Sequence, residues 1–329
     1  MNPSPSAIRA ARQLLSRHLP LTRLVEASSL SRLSRNNVYL KLECELPTGS
    51  FKPRGAIYAL ATNLARRKVK EVIASSTGNH GAAVAFSAKL LGIPATIFLP
   101  ENPNPVKRKR IAELGAKIVE EGSHDLAGAF QQARAYAERD PEIFFLNDAT
   151  DPDLPAGPAT IGDEILDQLP SVKTIYVPMG DTALIRGVAG AVKLASPEVK
   201  IIGVQAELAS SYFLSWKQGK VVETETCETI ADGLSTRTPD AANVTSIRAL
   251  VDDVRLVSDE QMLAAIRHLL LEEHILAEPA GAAATAALLN GTAEAGSDIV
   301  LLVTGANINP QILRQSICNP AVDATTESR

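Results

Sequence analysis

The chain has 329 residues, 45% of them hydrophobic and 21% charged, with a formal net charge of −4, globular proportions that supply a sizeable core in one large or two moderate domains. A polyanion partner is excluded: aromatics are only 4%, and the single basic run, Lys107-Arg108-Lys109-Arg110, opens a helical pattern and reads as a solvated face. Cys44, Cys227 and Cys318 lie far apart, which excludes a disulfide framework or a thiolate zinc site, and no stretch approaches the ~18 apolar residues of a membrane helix, so the expectation is a cytoplasmic protein.

From residue 70 onward strands alternate with helices. Residues 72–75 predict a short buried strand, followed by a glycine-bounded turn and a small-residue helix over 82–91 that Gly92-Ile93-Pro94 breaks. A strand follows over 95–99, a helix over 106–114 ending at Gly115, a strand over 117–119, a helix over 125–139 and a strand over 143–146. The pattern resumes with a strand over 174–177, a helix over 184–195 and a strand over 200–204. Helices over 259–273 and 280–289 and an apolar strand over 299–303 complete it. Strands separated by helices of about ten to fifteen residues imply βαβ units and parallel sheets. Two such sets predict two open α/β lobes, with a ligand at the carboxyl ends of the strands.

Three segments depart from pattern where such a fold places its site. Thr48-Gly49-Ser50-Phe51-Lys52-Pro53-Arg54-Gly55-Ala56 sets a lysine at a helix start. The partial positive charge there disfavours an ammonium and suits an amine needed in imine form; standing alone, the segment reads more readily as a surface lysine before a proline-started helix. Ser75-Ser76-Thr77-Gly78-Asn79-His80-Gly81 joins a strand to a helix with several converging donors, suited to a carboxylate or simply to a capped turn. Pro178-Met179-Gly180-Asp181-Thr182-Ala183-Leu184 is a second strand-to-helix junction whose backbone N–H groups suit a phosphate, although neither GxxxxGK[ST] nor GxGxxG is present.

In this order and spacing, the segments resemble the fold type II (β-family) pyridoxal-phosphate (PLP) enzymes, and among them the threonine/serine dehydratase and serine racemase group. The likeness runs from about Leu19 to Pro310. It includes Lys41-Leu42-Glu43, Gly157-Pro158-Ala159-Thr160-Ile161-Gly162, Thr229-Ile230-Ala231-Asp232-Gly233, Glu278-Pro279-Ala280-Gly281-Ala282 and Thr304-Gly305-Ala306-Asn307. The resemblance implies a tryptophan synthase β-like fold: two open twisted parallel-sheet lobes with helices on both faces. A large PLP-binding domain would comprise 1–65 and 147–329, a small domain 66–146.

It also implies PLP as cofactor, a small amino-acid substrate and a homodimer. Lys52 resembles the Schiff-base lysine, and Phe51 its neighbour against the cofactor. Asn79 would bond the phenolic oxygen of PLP; Ser76, Thr77, Asn79 and His80 would hold the substrate carboxylate; the backbone of Gly180, Asp181, Thr182, Ala183 and Leu184 would bind the phosphate; Thr304 would face the pyridine nitrogen. A hydroxyl there makes the ring a weaker electron sink than a carboxylate would, which disfavours transamination and leaves open α,β-elimination, with Lys52 as the base for the α-proton and the PLP phosphate as the acid. The implied activity is a dehydratase, or ammonia-lyase, acting on L-threonine or L-serine.

Three departures from the family pattern matter. The phosphate loop is not glycine-rich, so Thr182 could donate to the phosphate while Asp181 must point away or pair with a cation such as Arg186. Thr77 replaces the serine that serves racemases as second-face acid/base, and its added methyl argues against racemisation. Glu207 matches the first ligand of the group's divalent-cation site, but Phe213 stands where the second belongs, so no metal is expected. His18, His124, His268 and His274 read as structural or exposed. Alternatives within the fold group are a hydroxyaspartate or hydroxylated diamino-acid dehydratase, a serine racemase, a threonine synthase or a β-replacement synthase; outside it, a non-catalytic PLP- or amino-acid-binding protein.

Overall fold

The structure is a computed structural model that describes residues 2–76, 78–101, 105–120, 122–291 and 295–318. Its ten strands are β1 (Leu24–Glu26), β2 (Asn37–Leu42), β3 (Glu71–Ser75), β4 (Ala95–Phe98), β5 (Lys117–Val119), β6 (Ile143–Phe145), β7 (Thr174–Pro178), β8 (Lys200–Ala206), β9 (Asp253–Val257) and β10 (Asp298–Val303). They form a six-stranded sheet in the order β1-β2-β10-β7-β8-β9 and a four-stranded sheet in the order β5-β4-β3-β6. Every pairing but one is parallel, as the βα alternation predicts. The exception is β1, which runs antiparallel to β2 at the sheet edge. Such an edge strand needs no crossover, so three residues suffice, too few for a periodic signal.

Continuous apolar strands are the mark of a sheet covered on both faces. In β10, Ile299, Leu301 and Val303 enter one core with β2 and the helix Pro279–Leu289. Val300 and Leu302 enter another with β7 and the helix Ala183–Ala195. Alternation of period two thus feeds two cores from one strand.

Between the sheets runs the helix Pro53–Arg66, begun by Pro53 at its first position, where a missing N–H costs nothing. Its first turn is anchored by a buried ionic cluster. Arg54 Nε and Nη2 donate to the two oxygens of Glu43, each at 2.8 Å, and Arg54 Nη1 donates to Glu164 Oε1 at 2.6 Å. Lys41 Nζ donates to Glu164 Oε2 at 2.7 Å and to the Thr22 carbonyl at 3.0 Å. The bidentate fork of an arginine fixes direction as well as distance, so this cluster sets where the chain two residues earlier, Lys52, emerges.

Candidate active site

Lys52, Gly78, Thr182 and Glu278 each stand immediately before a helix: Pro53–Arg66, Asn79–Leu91, Ala183–Ala195 and Pro279–Leu289. None caps its own helix with a side chain. Such helix starts keep unpaired N–H groups and partial positive charge. The four are tied to one space: Asn79 bonds Glu278, the Phe51 N–H donates to the Thr304 carbonyl at 3.0 Å, and Ser50 pairs with Gly305. The loops following β3, β6, β7 and β10 meet here, at the carboxyl ends of parallel strands of both sheets.

Lys52 Nζ donates to Asp148 Oδ2 at 2.7 Å and sits 5.5 Å from the centre of the Phe51 ring. Burial pushes the Lys52 amine down, but Asp148, with Asp181 and Glu278 behind it, outweighs that and holds the group above its ordinary range, as an ammonium. Burial likewise pushes Asp148 up, while His80, at the low pH where it is protonated, and the Lys52 ammonium hold its carboxyl well below the usual carboxylate range. The His80 ring is committed: Nε2–H donates to the Leu146 carbonyl at 2.8 Å, leaving Nδ1 facing Asp148 at 3.9 Å, and burial keeps the imidazole neutral. What His80 retains for a carboxylate is its backbone N–H at the helix start. Ser76 Oγ accepts from the Gly78 N–H at 3.2 Å. Thr77 lies outside the described residues.

The orientation of Asn79 follows from the far end of a chain of bonds. Arg110 only donates, so it meets the oxygen of Asn307; the Thr48 carbonyl only accepts, so it meets the Asn307 nitrogen, at 2.9 Å. Asn307 Nδ2 then donates to Asn79 Oδ1 at 2.6 Å, and Asn79 Nδ2 turns to Glu278 Oε1, also at 2.6 Å. One Asn79 N–H remains for an acceptor in the site. A cavity of about 220 Å³ opens on this side, lined by Gly78, Asn79, Arg110, Leu276, Ala306 and Asn307 among others. The walls are close: a Cβ on Gly305 would run into the Glu278 carboxylate, and one on Gly180 into the Gly233 carbonyl.

At the junction after β7 Asp181 does not point away: its Oδ1 accepts from Thr236 Oγ1 at 2.9 Å, and the carboxyl lies in the field of Asp148 and of two cations, Lys52 and Arg186. Burial, with Asp148 adding to it, pushes Asp181 up to about 6. Thr182 Oγ1 accepts from Arg186 Nε at 3.1 Å, a bond that uses an oxygen lone pair and does not consume the O–H expected to serve a phosphate. Thr182 holds a left-handed φ of 68°, unusual for a β-branched residue, and this turn aims the first N–H groups of the helix Ala183–Ala195 into the site.

PLP asks for an amine, an anion cradle and a partner for its ring nitrogen. The amine is Lys52. The cradle is the uncapped start of Ala183–Ala195, where the N–H groups of Ala183 and Leu184 have no intrahelical acceptor. The third group is Thr304, buried to 4% exposure, whose hydroxyl makes no hydrogen bond among the described residues. The residues present fit the cofactor, with two dissonant charges: Asp181 beside the cradle, and Asp148, which holds Lys52 as an ammonium. Asp148, Asn307, Arg110 and the role of Glu278 were missed from sequence. The available signal for Asp148 was its place just past the carboxyl end of a strand.

Fold and site together define an α/β enzyme with two mostly parallel open sheets, built around a lysine at the junction of both. The chain belongs to the pyridoxal-phosphate-dependent enzyme family, whose profile matches residues 15–305, and within it to the threonine dehydratase and serine racemase group. It is 35% identical over 310 residues to an L-threonine ammonia-lyase of Thermotoga maritima, covering 94% of this chain and 77% of the relative. It is 37% identical over 296 residues to a catabolic L-threonine dehydratase of Staphylococcus aureus, covering 88% and 84%. Maize serine racemase superposes with a TM-score of 0.90 at 28% identity, covering 96% of this chain and 97% of that one. The processed form of threonine deaminase isoform 2 from Solanum lycopersicum superposes at 0.88 with 29% identity, covering 96% and 89%.

Proposed function

We propose that this protein catalyses PLP-dependent α,β-elimination from a small hydroxy-amino acid such as L-threonine or L-serine, releasing a 2-oxo acid and ammonia. The observation that carries the reading is the Lys52 amine, set among uncapped helix starts in a segment bonded to Thr304, whose hydroxyl has no partner among the described residues. Threonine ammonia-lyase and dehydratase activities in relatives at 35–37% identity support it.

Bound PLP supplies the electron sink for loss of the α-proton. Lys52 carries the cofactor and then takes that proton on Nζ. Asn79 would turn its free N–H to the phenolic oxygen, and the start of the helix Asn79–Leu91 would receive the substrate carboxylate, with Ser76 beside it; Thr77 is assigned to that carboxylate by the family resemblance alone. Gly180–Leu184 hold the phosphate through backbone N–H groups. Thr304 would face the ring nitrogen with a hydroxyl, a weaker partner for a protonated nitrogen than a carboxylate, so the sink would suit elimination better than transamination. In this proposal the large part of the chain, 1–65 and 147–329, binds the cofactor, the small part, 66–146, supplies Asn79, and the enzyme works as a homodimer. No helix among the described residues is long and apolar enough to cross a membrane.

The test is product analysis. With PLP and L-threonine or L-serine, 2-oxo acid and ammonia accumulate, and chiral chromatography finds the epimerised amino acid forming far more slowly. Epimer accumulating faster than keto acid overturns the reading. Lys52→Ala loses turnover together with the visible absorbance of lysine-linked cofactor; a variant that keeps turnover removes Lys52 from its role.

A further inference from the structure

We propose that Asp148 is a specificity-determining residue, and that the preferred substrate carries, besides its α-amine, a second ammonium near Cβ that pairs with the Asp148 carboxylate. The proposal rests on the elimination reading and changes the substrate it favours, from an amino acid with a hydroxyl alone near Cβ to one with an ammonium there.

The starting point is an incompatibility within the free site. Lys52 is needed first as the cofactor's attachment point and then as a base, and both tasks require an amine. A carboxylate at 2.7 Å instead holds it as an ammonium. When Lys52 leaves that pairing, Asp148 loses its counter-charge in a site that already contains Asp181 and Glu278. His80 does not replace it: its Nε2–H is committed to the Leu146 carbonyl, and its Nδ1 stands 3.9 Å from Asp148. Arg110 is turned to Asn307 and the Pro47 carbonyl, toward the cavity on the Asn79 side. An incompletely solvated carboxylate without a partner is costly.

Nor does the loop carry Asp148 out of the site. The Ala149 N–H donates to Asn147 Oδ1 at 3.0 Å, and the Ala149 carbonyl accepts from Asn243 Nδ2 at 2.9 Å, tying the segment after β6 to the opposite lobe. A substrate hydroxyl gives Asp148 a hydrogen bond but no charge. A second carboxylate on the substrate meets repulsion. An ammonium near Cβ replaces the Lys52 ammonium one for one, and its arrival is what leaves Lys52 neutral, able to take the α-proton.

The stoichiometry is defined. With the ammonium on Cβ, the α-proton passes to Lys52 and the Cβ–N bond pair departs with nitrogen as ammonia. Addition of one water then yields one 2-oxo acid and a second ammonia. With a hydroxyl on Cβ and the ammonium on Cγ, water departs from Cβ, one water is later consumed, one ammonia is released and the γ-ammonium stays in the product.

The experiment compares L-serine with L-2,3-diaminopropionate, near-isosteres that differ in the charge of the β-substituent, on the PLP-loaded protein. Wild type is expected to show kcat/KM for the diamine at least about tenfold above serine, the scale of one charged hydrogen bond. Asp148→Asn is expected to lower that ratio about tenfold or more, and Asp148→Glu to recover part of it. A ratio at or below one, or a ratio unchanged in Asp148→Asn, overturns the proposal; if Asp148→Asn does not fold, the wild-type ratio and Asp148→Glu decide. If neither amino acid yields keto acid, the elimination reading fails separately. Calorimetric binding of L-2,4-diaminobutyrate against L-2-aminobutyrate then decides for Asp148: tighter binding of the diamine, lost in Asp148→Asn, supports it, and equal binding refutes it.

Discussion

Asp181 is the residue whose chemistry sits least easily with a phosphate. Its carboxyl is pushed up to about 6 by burial and by Asp148, so it is largely neutral below that pH and charged above it. The sign for stability follows. A folded-state value above the unfolded value of ~4 means the native chain holds the proton more tightly. The contribution is full below ~4 and is lost as pH rises through about 6. The same ionisation places a negative charge beside the proposed cradle. Asp181→Asn is therefore expected to bind PLP more tightly than wild type, by a margin that widens as pH rises through about 6, as fluorescence titration at a series of pH values would show; a margin that does not change with pH refutes the placement. Next to it, Thr182 accepts a hydrogen bond from Arg186 in a backbone conformation that glycine tolerates better. Thr182→Ala should lower stability by about 1–3 kcal/mol through the lost bond to a buried guanidinium. Thr182→Gly should be more stable than Thr182→Ala by about 1 kcal/mol, because alanine keeps the left-handed strain; urea unfolding of the two variants measures both.

Among the elements, the helix starts concentrate the function, and their aim depends on what holds each helix. The helix Pro53–Arg66 is held by Arg54, 2% exposed and bonded to Glu43 and Glu164. Arg54→Met removes the cation and leaves two carboxylates facing Lys41 alone. The expected loss is about 3–5 kcal/mol, the cost of breaking rather than replacing a buried pair, measured by chemical denaturation. A loss below ~1 kcal/mol would mean the cluster does not anchor the helix. This anchoring was not legible in sequence, because Arg54 and Glu164 stand 110 residues apart. The inner strands were: residues 72–75 and 174–177 carry largely apolar runs bounded by turns, and the observed β3 and β7 match them to within a residue at each end, as does the short edge strand β5 over 117–119. The edge strands β1 and β9 escaped notice. One is too short for periodicity, and Asp253 and Arg255 interrupt the apolar run of the other.

At the scale of the whole molecule, the cofactor is expected to join what the chain builds separately. In the proposed arrangement Lys52 and the 180–184 turn hold it from one side and Asn79 from the other. A ligand that binds only the folded chain stabilises it by RT ln(1 + [L]/Kd), about 2.7 kcal/mol at a hundredfold excess over Kd. Scanning calorimetry should show Tm rising with PLP concentration in wild type and rising less in Lys52→Ala; equal shifts would separate cofactor stabilisation from the lysine. The sequence by itself determined the alternation of strands and helices and the junctions where a site could lie, because period and turn chemistry are local properties of the chain; Lys52, Asn79 and Thr304 were singled out at those junctions by resemblance to the family. Only the tertiary structure decided which side chains face that lysine. Asp148 lies 96 residues beyond Lys52 and Glu278 lies 199 beyond Asn79. Their approach depends on how two sheets pack, and so does the charge that each one imposes on its neighbour.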